Sequence, residues 1–260
     1  MLATSTNVKL ILQDGVCKVS ISNHENEHQE LTQTPIKVDG NSIHEKARPK
    51  GSESLRPEQL GCWRSHANVW RRIIDERIQT AIILEDDADW DVKVHDAFQA
   101  LSFQMRKWTA EKGNTSREAT RAPYGLDWDL LYVGTCWNIN AEVRPPSHIY
   151  EDITAPNSTE MAFSYQEELK YWGATSLNAD RVRVIAPSWY PVCTIGIQSG
   201  HLKSLTVVPP LVTTWKTGSV SDSDIDNLAE VEGELPRGSK NLRYSGRRAL
   251  ASTLNAGGEK

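Results

Sequence analysis

Three consecutive carboxylate residues, Glu85, Asp86 and Asp87, follow a short apolar run and are the residues of this chain best suited to chemistry. Neighbouring negative charges repel one another unless a cation or a polar ligand lies among them. Mg²⁺ and Mn²⁺ prefer carboxylate oxygens and complete their coordination with oxygens of substrate phosphates. The same acids would also suit a solvated turn that binds nothing, so these residues alone leave both interpretations equally open.

The apolar run in residues 80–85 has to position these acids. Four apolar residues, two of them isoleucines, predict a buried strand with no polar face, as in a parallel sheet covered on both sides. In open α/β sheets, ligands bind at the carboxyl ends of such strands. The acids would then lie where a ligand is expected.

The strongest helical pattern comes before this run, in residues 55–76. Pro57 suits the first turn, and apolar residues then follow a spacing of three and four along one face. His66 falls at the border of this apolar stripe, whereas Ser65 points away from it. A histidine in such a place more often has a structural role than a chemical one.

The remaining pattern divides the chain into ordered and irregular stretches. Residues 138–170 contain prolines and acids without a clear period, which favours a long loop on the substrate side. Residues 228–260 are polar, and we predict a disordered tail there. Further expected elements include a helix over 96–107 and strands over 34–40, 128–134, 190–197 and 205–208.

Composition excludes several classes of protein. The 260 residues carry 29 basic and 34 acidic side chains, a net charge of −5 with both signs scattered, which argues against a nucleic-acid partner. The four cysteines are far apart and form no C-x-x-C pair, so a structural zinc site is not expected. We find neither a signal peptide nor a transmembrane segment in the sequence, which predicts a soluble chain.

Two segments in the right order resemble glycosyltransferase family 25, which contains lipopolysaccharide and procollagen galactosyltransferases and many fungal members. Leu60–His66, LGCWRSH, is similar to the G-C-x-x-S-H helix of that family, and Ala81–Ala88, AIILEDDA, is similar to its I-x-E-D-D strand end. We identify the chain as resembling a fungal-type member. Weaker matches follow in family order: VDG at 38–40, WDLLYVG at 128–134, PVCT at 191–194, PPL at 209–211 and SDI at 223–225.

The resemblance implies a fold, a reaction and a cofactor. The fold would be α/β and GT-A-like, with a mixed, mostly parallel sheet flanked by helices. The reaction would transfer a sugar, galactose above all, from a UDP-sugar donor to a glycan or glycoprotein acceptor. A divalent metal, Mn²⁺ before Mg²⁺, would offset the charge of the departing diphosphate.

Residue roles carry over from the matched motifs. Asp87, assisted by Asp86, would bind the metal, and Ser65, His66, Glu85 and Asp86 would contact the substrate. Transfer with inversion also needs a base beside the acceptor hydroxyl, and Asp224 of the SDI segment is the candidate. The neighbouring residues Asp222 and Asp226 leave this choice open.

The chain also departs from the family pattern at both ends. Residues 1–35 lack the expected nucleotide-pocket segment, and residues 195–208 are shorter than in the family. We therefore expect an atypical segment over 1–35, a family domain over 36–227 with incomplete N-terminal and C-terminal parts, and the tail over 228–260. This describes a diverged or truncated member.

Other functions remain open on the sequence alone. A degenerate, inactive glycosyltransferase-like protein or binding module is the main alternative. An Mg²⁺-dependent phosphohydrolase fits the acids, but the chain contains no phosphate-binding loop of the G-x-x-x-x-G-K-[ST] type. The sequence leaves the cellular location open, while the resemblance suggests the secretory pathway, in the Golgi or the ER.

Overall fold

The structure of this protein, a computed structural model, divides into two units, and among the described residues the division falls between Glu85 and Asp86. The first unit contains the described residues up to 85, and the second contains those from 86 onward. The residues described are 36–38, 41–43, 57–113, 116–134, 144–157, 159–161, 163–174, 181–188, 202–216, 239 and 241–257.

The first unit contains a hairpin and one long helix. Strands β1 (Ile36–Val38) and β2 (Asn41–Ile43) pair antiparallel. Helix α1 spans Pro57–Asp75, with proline at its first position, where the missing N–H costs no hydrogen bond. Both the helix predicted over 55–76 and the short strand before Gly40 are confirmed.

The strand predicted over residues 80–85 is wrong. These residues follow helix α1 without regular pairing, and Ile82 is 55% exposed. The strand lies after the acids instead, as β3 (Ala88–Trp90), and all three of its residues are buried. It pairs antiparallel with β8 (Val212–Thr214), and this distant partner selects residues 88–90 over the more apolar run before them.

A four-stranded sheet forms the centre of the second unit. Its strands are β4 (Leu130–Tyr132), β5 (His148–Glu151), β6 (Val182–Pro187) and β7 (Ser204–Val208), in the order β4-β7-β6-β5. The pairing of β4 with β7 is parallel, and the other two pairings are antiparallel. The mixed α/β class is confirmed, but the sheet is not mostly parallel among the described residues.

Helices cover both faces of this sheet. Helix α2 (Val94–Glu111) contacts β5, where the ring of Trp108 stacks on His148 with the ring centroids 6.0 Å apart. Helix α4 (Phe163–Tyr171) and the residue that follows it, Trp172, pack against alternate residues of β6 such as Val184. A short helix, α3 (Arg117–Arg121), lies between α2 and β4. No helix of the described segments is both long and apolar enough to cross a membrane.

Two stretches predicted to be irregular contain regular structure. Strand β5 and helix α4 lie within 138–170, because β6 supplies a pairing partner and a surface that the local sequence does not reveal. Helix α5 (Gly246–Gly257) lies within the predicted tail, so disorder is wrong for these residues. The strand predicted over 190–197 lies outside the described residues, and the predicted domain boundaries stay a prediction.

A buried ion pair joins three separate parts of the second unit. The guanidinium of Arg183 donates from Nε to Asp152 Oδ2 at 2.6 Å, and both side chains are at most 2% exposed. Its Nη1 donates to the carbonyl oxygens of Pro209 and Pro210 at 2.6 and 3.0 Å. The Thr154 hydroxyl and N–H donate to the other oxygen of Asp152. These hydrogen bonds offset part of the cost of burying both charges.

We expect Arg183→Ala to lower the free energy of unfolding by about 3–5 kcal/mol, because it leaves the Asp152 charge buried without its partner. Urea denaturation followed by circular dichroism measures the change. The matched control is Lys170→Ala, which removes the exposed ion pair of Lys170 with Glu167 and should cost no more than about 1 kcal/mol. Equal losses in the two variants would contradict this account of the pair.

Candidate functional site

In the first unit, a hydrogen bond joins His66 of the LGCWRSH motif to Glu85 of the AIILEDDA motif. His66 Nε2 lies 3.1 Å from Glu85 Oε1, and the glutamate side chain is 57% exposed. An ionised carboxylate only accepts hydrogen bonds, so the ring nitrogen must be the donor. This hydrogen bond holds the pKa of Glu85 below its ordinary value, against the opposing effect of partial burial.

The position of His66 on helix α1 explains this contact. Its ring is partly buried and tilted against Trp70, one turn further along the helix, with the ring centroids 6.1 Å apart. The imidazole thus has an aromatic neighbour on its own helix in addition to its hydrogen bond with Glu85. Ser65 is half-buried on the same helix.

In the second unit, Asp86 and Asp87 form a turn that leads into strand β3. The Asp86 side chain is exposed, and that of Asp87 is half-buried. The β3–β8 ladder continues into this turn, because the Trp215 N–H donates to the Asp87 carbonyl at 2.8 Å. We call residues 86–87 the acidic turn.

Asp89, two residues beyond the acidic turn, is fully buried in strand β3. Its Oδ2 accepts the hydroxyls of Ser239 and Ser245, each at 2.6 Å. Its Oδ1 accepts the backbone N–H groups of Trp90 and Arg247, at 2.9 and 3.1 Å. Hydrogen bonds to a charged acceptor are stronger than neutral ones, so this carboxylate anchors the C-terminal segment to the strand.

Asp91 makes a second link to the same segment. Its side chain accepts the backbone N–H groups of Lys93 and Tyr244, at 2.8 and 2.6 Å. The residue is 4% exposed, and burial raises the pKa of its carboxyl, although both N–H groups and the charges of Arg183 and Arg243 oppose the shift. The Val92 N–H donates to the Tyr244 carbonyl, so backbone bonding continues past the strand.

The acidic turn has a donor set that fits a hard divalent cation held jointly with phosphate. Its two adjacent carboxylates would supply oxygen ligands, and Mg²⁺-type ions in phosphate-binding sites commonly take only one or two carboxylates from the protein. Within the described residues, no three His, Cys, Asp or Glu side chains converge as a complete metal site. The remaining ligands would therefore come from substrate and water.

The predicted site residues fall into three groups. Ser65, His66 and Glu85 lie in the first unit, where His66 and Glu85 are bonded to each other. Asp86 and Asp87 lie together in the acidic turn of the second unit. Asp224 lies outside the described residues, so its role as the base stays a prediction.

Sequence reasoning missed the residues that hold the acidic turn, namely Asp89, Asp91, Ser245 and Arg247. One signal was present: Asp87, Asp89 and Asp91 alternate along the chain, the spacing that places side chains on one face of a strand. A buried acid in a strand requires donors from elsewhere. The polar residues of the predicted tail supply them.

We expect His66→Ala to raise the pKa of Glu85 toward its ordinary value, because the main cause of its lowering is removed. The contact contributes stability above that ordinary pKa and loses it as the pH falls through the lowered pKa. Carbon-detected NMR of the Glu85 carboxyl measures the titration. His95→Ala removes an exposed histidine elsewhere and serves as the control. An unchanged titration in His66→Ala would refute the assigned cause.

We expect Asp89→Ala to lower the free energy of unfolding by about 3 kcal/mol, since two hydroxyl and two N–H donors lose their acceptor. Asp96→Ala, which removes an exposed carboxylate from the first turn of helix α2, should change it by no more than about 1 kcal/mol. Urea denaturation compares the two variants, and similar small losses would show that Asp89 is not an anchor.

Comparison with known families gives an independent result for part of the chain. Residues 20–120 match the family model described as Glycosyltransferase family 25 (LPS biosynthesis protein). This match includes His66, Glu85, Asp86 and Asp87 and ends before residue 224. No solved structure matches the chain significantly.

Curated relatives agree with the family match. Procollagen galactosyltransferase 1 of Danio rerio is 29% identical over 86 residues, which are 33% of this chain and 12% of the relative. Procollagen galactosyltransferase 2 of Homo sapiens is 25% identical over 117 residues, 45% of this chain and 15% of the relative. The chain thus spans only a small part of the relatives it matches. Residues 20–120 are therefore similar to glycosyltransferase family 25, and the match to the family model is limited to that segment.

Proposed function

We propose that this protein is a metal-dependent glycosyltransferase that transfers a sugar, galactose first among the candidates, from a UDP-sugar donor to a glycan or glycoprotein acceptor. The observation that carries the proposal is the family match across a segment that contains both carboxylates of the acidic turn. The galactosyltransferase relatives support the choice of sugar. The secretory compartment suggested by the family resemblance remains a prediction.

In this proposal the acidic turn holds the donor diphosphate through a divalent cation. Departure of UDP builds negative charge on the phosphate oxygens, and Mn²⁺ or Mg²⁺ held by Asp87 and Asp86 would neutralise that charge. Both carboxylates stand on a turn that the β3–β8 ladder holds at the Asp87 carbonyl. Little reorganisation of the turn would then accompany binding, which favours catalysis.

Glu85 and His66 would act on the sugar. The lowered pKa of Glu85 keeps its carboxylate ionised at neutral pH, where it can only accept hydrogen bonds. Sugar hydroxyls are donors, and the exposed Glu85 side chain would accept from them while His66 keeps it oriented. We assign Ser65 to the same substrate contact on the basis of its place in the matched motif.

The acceptor hydroxyl must lose a proton as its oxygen attacks the sugar carbon. A carboxylate within hydrogen-bond reach of that hydroxyl would take the proton. We keep Asp224 as the proposed base on the family resemblance. The match to the family model ends at residue 120, however, and this favours the second candidate function, a family member that binds nucleotide without transferring sugar.

Calorimetric titration with UDP tests the proposal. We expect the full chain to bind UDP in the presence of Mn²⁺, and the Asp86→Ala/Asp87→Ala double variant to bind at least about tenfold more weakly, because the metal ligands are lost. Asp96→Ala removes an exposed carboxylate from the same unit and should bind as the parent does.

Absence of Mn²⁺-dependent UDP binding by the parent would refute the proposed function, and equal binding by parent and double variant would move the metal site elsewhere. Hydrolysis of several UDP-sugars by a binding-competent parent then separates the two candidates. Hydrolysis supports the transferase, whereas an inert protein that still binds UDP supports the non-catalytic member.

A further inference from the structure

The backbone of the acidic turn is held from two distant parts of the chain. Three consecutive carbonyl oxygens, those of Asp86, Asp87 and Ala88, each accept a hydrogen bond from residues more than a hundred positions away. The Asp87 carbonyl accepts from the Trp215 N–H. The two carbonyls on either side both accept from one side chain, that of Arg247 on helix α5.

The geometry of Arg247 suits this task. Its Nε donates to the Ala88 carbonyl at 3.1 Å, and its Nη2 donates to the Asp86 carbonyl. These donors belong to one rigid planar group, so the two carbonyls are fixed relative to each other. A lysine ammonium on its flexible stem presents donors with no such fixed geometry.

Arg247 is itself held in place by the strand that it supports. Its backbone N–H donates to Asp89 Oδ1, and Ser245 on the same segment donates to Asp89 Oδ2. The buried Asp89 therefore fixes the start of helix α5, and the Arg247 side chain returns from that helix to the acidic turn. Strand β3 therefore anchors the start of helix α5 through Asp89, and helix α5 in turn holds the acidic turn that precedes β3 through Arg247.

We propose that Arg247 is a positioning residue that presents the Asp86 and Asp87 carboxylates as a preset pair to a divalent cation and its diphosphate. The structural part of this proposal, that Arg247 fixes the turn, stands on the contacts alone. The functional part rests on the proposed function, because it assigns the preset pair to a metal-bound nucleotide.

A matched set of variants tests the proposal in the full chain. Arg247→Ala removes the side chain that holds the Asp86 and Ala88 carbonyls. Arg247→Lys keeps the positive charge but loses the planar guanidinium group with its fixed pair of donors. Arg248→Ala removes the same charge from the neighbouring, exposed position of helix α5 and is the control. Thermal unfolding of each variant shows that any loss is measured on folded protein.

Hydrogen exchange measured by mass spectrometry tests the structural part without any ligand. We expect faster exchange in peptides that cover residues 86–92 and 212–216 in Arg247→Ala, and parent-like exchange there in Arg248→Ala. Unchanged exchange of these peptides in a folded Arg247→Ala protein would overturn the positioning role.

Titration with UDP and Mn²⁺ tests the functional part. Residues that orient metal ligands typically contribute 10–100-fold to metal affinity, so we expect Arg247→Ala to weaken Mn²⁺-dependent UDP binding by at least about tenfold. Arg247→Lys should recover only part of this loss, and Arg248→Ala should stay within about twofold of the parent.

The two proposals fail in different ways. If the parent does not bind UDP with Mn²⁺, the proposed function and the functional part fall together, while hydrogen exchange still decides the structural part. If the parent binds and Arg247→Ala binds equally well with a loosened turn, the functional part is overturned and the proposed function stands.

Discussion

The buried carboxylate of Asp89 is the constraint on which the arrangement around the acidic turn depends. An ionised group removed from water is costly unless donors surround it, and here two serine hydroxyls and two backbone N–H groups do so. Those donors come from residues 239–247 and from the strand itself. Satisfying this one charge therefore determines where the C-terminal segment lies, and with it where helix α5 begins.

The position of helix α5 in turn determines the backbone of the acidic turn. The β3–β8 ladder holds one carbonyl of the turn, and Arg247 holds the carbonyls on either side of it. Two exposed or half-exposed carboxylates thus stand on a rigid support, although nothing near them in sequence would provide it. The transferase activity that we propose would gain from this support, because groups fixed before the reaction need no reorganisation when charge develops on the diphosphate.

Sequence reasoning succeeded where the information is local. The apolar spacing of helix α1, the phase of Ala97, Leu101 and Met105 on helix α2, and the strand at 204–208 all appear in the structure. It failed where contacts with residues far away in the sequence determine which segment becomes a strand or a helix. The run 80–85 is more apolar than 88–90, yet β8 pairs with the latter. Helix α5 forms in a polar segment whose start is anchored by hydrogen bonds to Asp89. Of the candidate site, the acids and His66 were found from the family motif, whereas their supports were not.

In our proposal the acidic turn is the metal and nucleotide site, and residues after 239 hold it in place. A crystal structure of the full chain with UDP and Mn²⁺, measured at a wavelength where manganese scatters anomalously, tests this most directly. We predict an anomalous peak at coordination distance, about 2.0–2.2 Å, from carboxylate oxygens of Asp86 or Asp87. In the same structure Arg247 should donate hydrogen bonds to the carbonyl oxygens of Asp86 and Ala88. A manganese peak bound by other residues, or an acidic turn without Arg247 against it, would contradict the account.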